Sequence, residues 1–357
     1  MATVIPFGPQ HPVLPEPIHL KLVVEDEVVQ QAVPALGFVH RGLESLVDVR
    51  DFHQMVQVTE RVCGICSMIH AAVYCQCIEE LMGVEIPPRG AMLRVVWSEL
   101  HRLHSHLLWL GLAADAFGFE ALFMQSMRIR EIIMDVMEKT AGNRVIISVN
   151  VVGGVRRDLD SEQQKWILAQ LDRVQTGLQR ISSAFLNEYT VQQRSKGIGA
   201  LNRDKALELG AVGPTLRGSG VAQDIRMLGY GGYSELEFEP VVEQGGDSYS
   251  RMKVRLWEAF QSIALVRQAL GKLPEGEIAV KVKGRPEGEV IQRVEQPRGE
   301  LLYYVRGSGK KNLDRLRIRT PTNANIAPLL AMIPGCELAD VPVIVLSIDP
   351  CISCTER

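Results

Sequence analysis

The sequence predicts a helix-rich α+β fold in which residues 1–357 form one domain. Two patterns carry that prediction. Five stretches keep an apolar spacing close to the 3.6-residue period of a helix, and most of them are too long to be strands. The β-branched or alternating runs are short and are bounded by Gly, Pro or charged tips. No internal repeat and no low-complexity linker divides the chain.

In chain order, Phe7 to Pro17 reads as a proline-stiffened arm in which Glu16, between Pro15 and Pro17, is held extended. Ile18–Val24 and Val28–Val33, separated by Glu25-Asp26-Glu27, predict a β-hairpin with a charged tip. Ser67 begins a helix to about Met82, with Ile69, Val73, Cys77 and Leu81 near helical spacing. This leaves Cys66 just before the helix's first free N–H groups, where a thiolate is favoured. Val96, Leu100, Leu103, Leu107 and Leu110 carry a helix over 91–111. Further helices are predicted at Phe119–Thr140, Ser161–Glu188 and Ser248–Leu270, around a glycine-rich stretch at 197–232. Glu277–Val282, Glu300–Arg306 and Leu313–Arg319 read as strands, with a turn at Gly307-Ser-Gly-Lys310. The apolar run Val341–Ile348 reads as a buried strand.

Hydrophobic residues make up 46% of the chain and charged residues 23%, ordinary values for a protein with a substantial core. A net charge of −3 gives no footprint for nucleic acid. The first ten residues lack the basic and apolar regions of a secretion signal. No apolar run approaches the ~20 residues of a membrane helix. Seven cysteines, four of them in Cys-x-x-Cys pairs, suit metal binding in a reducing compartment better than a disulfide framework.

The chemistry concentrates in those pairs. Cys63 and Cys66 lie in Arg61-Val-Cys-Gly-Ile-Cys66, and Cys351 and Cys354 follow 285 residues after Cys66 in Asp349-Pro-Cys-Ile-Ser-Cys354. Pairs at opposite ends of a chain do not read as two independent fingers, so one buried centre built from both terminal segments is expected. Four cysteines in two pairs are elsewhere most often a structural zinc site. Cys75, Cys77 and Cys336 read as core residues. His101 and His104 share a helical face and read, with His106, as surface or interface residues.

The two cysteine motifs together resemble the large subunit of nickel–iron hydrogenases. Gly8-Pro-Gln-His-Pro12, Gly213-Pro-Thr-Leu-Arg-Gly-Ser-Gly220 and Pro297-Arg-Gly-Glu300 narrow the resemblance. They point to the energy-converting, membrane-bound (Ech or CO-induced) type and to its relative, the 49-kDa quinone-site subunit of respiratory complex I. The similarity runs from residue 7 to residue 357. It implies a complex I 49-kDa-like fold with an N-terminal hairpin and long central helices.

The resemblance also implies the site. Cys63 and Cys351 would be terminal nickel ligands, and Cys66 and Cys354 would bridge nickel to an iron carrying carbon monoxide and cyanide, Fe(CO)(CN)2. Soft thiolates suit both metals. The activity would be reversible H2 oxidation and proton reduction. Cys351 would take the proton and Glu16 relay it. Arg298 would hang over the open metal face, anchored by Asp349, and the Thr322 hydroxyl would donate to a cyanide. Glu44 corresponds to a magnesium ligand, although Arg357 stands where the family has a histidine.

Partners implied in the same way are an iron–sulfur small subunit, a ferredoxin-type carrier, membrane subunits of an ion-pumping complex and maturation factors. The chain would then be a peripheral subunit on the cytoplasmic side of the membrane. Two other classes stand beside this one: a complex I-type quinone-site subunit, and a non-catalytic subunit with a structural zinc held by the four cysteines. Residue by residue, Glu16 could be an exposed loop carboxylate, Arg298 a solvated charge, Glu44 an ion-pair partner and Asp349 a turn cap. His11 reads as a structural or proton-path remnant.

Overall fold

A computed structural model of the protein describes residues 2–11, 14 and 16–357. Pro12 of the Gly8–Pro12 motif and Pro15 of the proline arm lie outside the described residues. The chain begins with a three-stranded antiparallel sheet, β1 (Thr3–Phe7), β2 (His19–Glu25) and β3 (Val28–Ala35). Its hairpin turns at Asp26 and Glu27, both in the left-handed region. Two helices follow, α1 (Gln54–Glu60) and α2 (Ser67–Leu81), and then the long pair α3 (Pro88–Ala116) and α4 (Glu120–Ala141).

After a two-residue ribbon, β4 (Asn150–Val151) and β5 (Gly154–Val155), come α5 (Ser161–Asn187), α6 (Tyr189–Gln193), α7 (Arg203–Glu208), α8 (Gly213–Arg217) and α9 (Ser248–Gly271). A second antiparallel meander, β6 (Glu287–Gln296), β7 (Gly299–Ser308) and β8 (Leu313–Arg319), precedes α10 (Pro321–Met332), α11 (Val341–Ser347) and α12 (Ile352–Glu356).

Local chemistry accounts for most boundaries. Asp160 and Gln163 form a reciprocal capping box at the start of α5, and Asp247 caps α9 through the Ser250 N–H. Pro87 and Pro88 admit the chain into α3 without an N–H to satisfy. α3 is the axis of the molecule: Leu93, Val96, Trp97, Leu100, Leu103 and Leu107 are all buried, with α4 and α9 packed along it. A helix apolar around most of its circumference belongs inside a core. His101, His104 and His106 are inside it as well, each 0–1% exposed, so they are not surface residues. Two polar positions on one face were not enough to expose a helix that is covered on every side.

Two strand assignments are also corrected. Glu277–Val282 forms no strand and contributes only an isolated bridge from Ala279 to Gly154. The partner of β7 is instead β6, a polar strand whose outward residues include Glu287, Glu289 and Ile291. The run Val341–Ile348 folds mainly as α11, not as a strand. Pro342 lies in its first turn, and Val341, Val343, Ile344, Val345 and Leu346 are all buried, with α9 and α3 packed against the helix. A short continuous apolar run suits a buried helix as well as a buried strand.

Three apolar clusters result. One surrounds α3, α4, α5 and α9, one lies under the N-terminal sheet with α10 and α11, and one joins α2 to the β6–β8 meander. The four motif cysteines belong to the last of these.

Candidate metal centre

The turn before α2 and the segment before and within α12 meet beside the β6–β7 hairpin. Cys63, Cys66, Cys351 and Cys354 are 0–3% exposed. Their sulfurs pair across the two motifs, Cys63 to Cys351 at 3.3 Å and Cys66 to Cys354 at 3.5 Å. The Ile65 N–H donates to the Cys63 sulfur at 3.3 Å, which fixes the first turn. Cys66 is the residue before α2 and Cys351 the residue before α12.

Hydrogen bonds from the Cys351, Cys354 and Cys66 thiols hold Cys63 well below the ordinary thiol range. Burial pushes Cys66 and Cys354 well above it. Burial thus opposes ionising these close sulfurs together, and a cation among them would favour it. A soft metal provides that cation, and the donor set fits it. Sulfurs of Cys63, Cys351 and Cys354 lie within 4.8 Å of one another, as do the ligand atoms of Cys66, His70 and Cys354.

Two charged side chains act on the same cluster, Arg298 through its charge and Glu16 through a contact with Cys351. Arg298 occupies the two-residue turn between β6 and β7, where Gln296 pairs with Gly299. Gly299 has φ 128°, and a Cβ there would lie 2.7 Å from the Gly213 nitrogen, so the Gly213-Pro-Thr-Leu and Pro-Arg-Gly-Glu motifs meet backbone to backbone. This contact seats the arginine. Its Nε donates to the Asp349 carbonyl at 2.8 Å, its Nη2 to Asp349 Oδ1 at 3.0 Å and its Nη1 to Ser105 Oγ at 3.2 Å. Asp349 sits at φ 54°, a conformation in which its main chain and side chain both face the guanidinium.

Glu16 reaches the other side of the cluster. Its Oε1 lies 3.9 Å from Cys351 Sγ and accepts from Ser353 Oγ; its Oε2 accepts from the N–H groups of Ile352 and, at 3.2 Å, Ser353. Thr322, in the first turn of α10, accepts the Cys351 N–H at 3.0 Å and keeps its own hydroxyl proton to donate.

His70 was not singled out from sequence. It lies 3.5 Å from Cys354 Sγ through Nε2, which also receives Gln296 Nε2 at 2.9 Å, while Nδ1 meets the Tyr303 hydroxyl at 2.7 Å. Burial lowers its pKa to about 4, so the ring is neutral. Its signal was the spacing Cys66–His70, four residues apart on one helical face. Ser105 gave no such signal. His101 also touches the site, its Nδ1 lying 3.3 Å from the Ile65 carbonyl inside the first motif.

Glu44 is the exception. Its Oε1 accepts from Arg357 Nε at 2.9 Å and from the Ile318 N–H at 2.8 Å, and its Oε2 from Arg317 Nη1 at 2.9 Å. Magnesium asks for several oxygen ligands in octahedral array, and this carboxylate instead faces two guanidiniums. The residues do not fit magnesium; Glu44 is an ion-pair partner here. Treating the purified protein with a magnesium chelator is accordingly expected to leave its melting temperature and nickel content unchanged. A fall in either on chelation, reversed by added magnesium, would contradict this.

A family described as the 49-kDa subunit of respiratory-chain NADH dehydrogenase matches residues 116–285 and 280–357, and one described as nickel-dependent hydrogenase matches residues 41–114. The chain is 40% identical over 356 residues to the carbon monoxide-induced hydrogenase of Rhodospirillum rubrum, covering 99% of each. It is 38% identical over 371 residues to membrane-bound hydrogenase subunit alpha of Pyrococcus furiosus, covering 99% of this chain and 87% of that one. A solved subunit of the membrane-bound sulfane sulfur reductase, an archaeal respiratory membrane complex, superposes with a TM-score of 0.94 at 30% identity, covering 100% of this chain and 98% of that one. The chain thus belongs to the family that unites the complex I 49-kDa subunit with nickel-dependent hydrogenase large subunits, on the branch of the energy-converting, membrane-bound hydrogenases.

Proposed function

We infer that this chain is the catalytic subunit of a membrane-bound nickel–iron hydrogenase that interconverts H2 with protons and electrons. The observation that carries this reading is the convergence of four buried sulfurs, from two distant motifs, with the Arg298 charge acting on them and the Glu16 carboxylate against Cys351. A closed structural zinc site calls for neither charged group.

The four thiolates would hold the nickel and an iron carrying carbon monoxide and cyanide, a soft, electron-rich centre that polarises H2. Around it the protein's own groups divide the work. Cys351 Sγ accepts a proton and Glu16 Oε1, at 3.9 Å, takes it onward. Arg298 keeps a fixed positive charge beside the sulfurs, where Cys351, Cys63 and Cys66 each strengthen its protonation. Thr322 orients the Cys351 backbone. His70, neutral, lies against the Cys354 sulfur through Nε2. Replacing Glu16 with glutamine keeps the shape but removes the proton acceptor. Exchange of H2 with D2O is expected to fall by roughly 10²–10⁴-fold with nickel retained. Unchanged exchange would remove Glu16 from the relay.

Electrons must leave through another chain, since Cys75 and Cys77 are buried in the core and Cys336 lies in a different cluster. We assign that task to an iron–sulfur small subunit feeding a ferredoxin-type carrier. Maturation factors would insert the metals. Among the described residues no helix is long and apolar enough to cross a membrane. Membrane subunits would hold this chain peripherally, on the cytoplasmic side. A complex I-type quinone site would need none of the four cysteines.

The deciding experiment is an infrared spectrum of the purified complex, roughly between 1,900 and 2,100 cm⁻¹, with nickel and zinc analysis. One carbon monoxide band, two cyanide bands and about one nickel per chain are expected. Zinc without those bands would overturn the reading.

A further inference from the structure

His70 on α2, Gln296 at the end of β6 and Tyr303 on β7 are fully buried, beside Cys354 at 1% exposed. The Tyr303 hydroxyl meets His70 Nδ1 at 2.7 Å, and among the described residues it has no other hydrogen-bond partner. His70 Nε2 lies 3.5 Å from Cys354 Sγ and 2.9 Å from the Gln296 amide nitrogen. The ring is neutral, so one of its nitrogens carries a proton and the other accepts one.

The donors around the ring decide which nitrogen is protonated. Burial holds the Tyr303 phenol well above its ordinary pKa, so it keeps its proton. Nδ1 is the acceptor within reach of that proton. A proton on Nδ1 would make the phenol an acceptor and leave its own O–H buried without a partner, a costly arrangement. With Tyr303 donating, Nδ1 is bare and the proton sits on Nε2. The two ends of a glutamine amide have the same shape, so Gln296 then turns its oxygen to the Nε2–H. The opposite tautomer would set an imidazole lone pair against the sulfur, where a thiolate has only lone pairs to offer.

We propose that Tyr303 is a positioning residue: its hydroxyl fixes the His70 tautomer and so directs the Nε2–H at the Cys354 sulfur. An N–H aimed at a thiolate draws electron density from it, and outer hydrogen bonds of this kind tune a metal bound to the sulfur. The effect on the metals rests on the hydrogenase reading; the place of the proton on His70 does not.

Two measurements on the purified complex test this. Nitrogen-15 spectra of complex labelled at histidine read the tautomer, the His70 signals being those lost in His70→Gln. They are expected to show a protonated Nε2 and a bare Nδ1, and to move toward the opposite tautomer in Tyr303→Phe. In the infrared, Tyr303→Phe is expected to keep its nickel and shift the carbon monoxide band to lower wavenumber, as His70→Gln does. Adding Tyr303→Phe to His70→Gln is expected to shift the band no further, because the phenol acts through the ring. A tyrosine that merely supports the fold would shift the band in both backgrounds alike.

A proton on Nδ1 in the wild type, or Nε2 bound to a metal, would overturn the proposal. So would an unmoved band in nickel-loaded Tyr303→Phe, or a further shift in the double variant. Should Tyr303→Phe fail to assemble, the wild-type nitrogen spectrum still decides. Absence of carbon monoxide bands from the wild type would sink the hydrogenase reading alone, leaving that spectrum to decide the tautomer.

Discussion

Replacing Cys354 with serine is expected to strip the protein of nickel and abolish H2 turnover. Cys354 stands where the two groups of ligand atoms overlap, one with Cys63 and Cys351 and the other with Cys66 and His70. Its sulfur lies 3.5 Å from both Cys66 Sγ and His70 Nε2. Serine offers a hard, poorly ionised hydroxyl where a soft thiolate is required, and affinity for nickel and iron follows ligand softness. Removing the shared ligand also removes one of the two sulfur pairs that join the cysteine motifs, leaving Cys63–Cys351 alone. Activity should fall by at least about 10⁴-fold, below the residual rate that binding alone supports. Nickel analysis and the infrared bands should disappear together. Melting temperature separates this from simple unfolding: a Cys354→Ser protein that stays folded, keeps its nickel and turns over H2 would place the metal elsewhere.

Replacing Arg298 with lysine is expected to leave the metals in place and reduce kcat by roughly 10²–10³-fold, the loss typical of a removed preorganised charge. The substitution conserves charge but not geometry. Arg298 uses three separate nitrogens, for the Asp349 carbonyl, Asp349 Oδ1 and Ser105 Oγ. An ammonium is a single point donor on a flexible stem and cannot reproduce that fork. Kinetics on the nickel-loaded enzyme decide the matter. Loss in kcat with KM for H2 nearly constant assigns Arg298 to the reacting state. A rise in KM alone would assign it to substrate access, and full activity would remove it from the mechanism.

Much of the frame follows from local chemistry. The five long helices begin and end within a few residues of their expected positions because apolar period, caps and prolines act over a handful of neighbours. The Cys-x-x-Cys pairs were legible for the same reason, since two ligands in one turn are a local property. Their convergence could be expected, because a centre built from both ends is the simplest reading of two distant half-sites.

Other features depended on which surfaces meet. The apolar run Val341–Ile348 satisfies strand and helix patterns equally, and burial against α9 and α3 selects the helix. His101, His104 and His106 look polar in sequence, yet neighbouring helices cover every face of α3. β6 is polar enough to read as loop until β7 supplies its hydrogen bonds. Glu44 is a plausible metal ligand until Arg317 and Arg357 arrive from distant segments to occupy both its oxygens.

Residue pattern was therefore enough for the helical frame, the four clustered cysteines and the family. Packing was needed for the surroundings of the sulfurs: His70 on Cys354, Ser105 on Arg298, and arginines in place of magnesium at Glu44. The physical reason is range. Ligand type and helical period are written in residues a few positions apart, whereas a hydrogen-bond partner is chosen by packing between segments hundreds of residues apart.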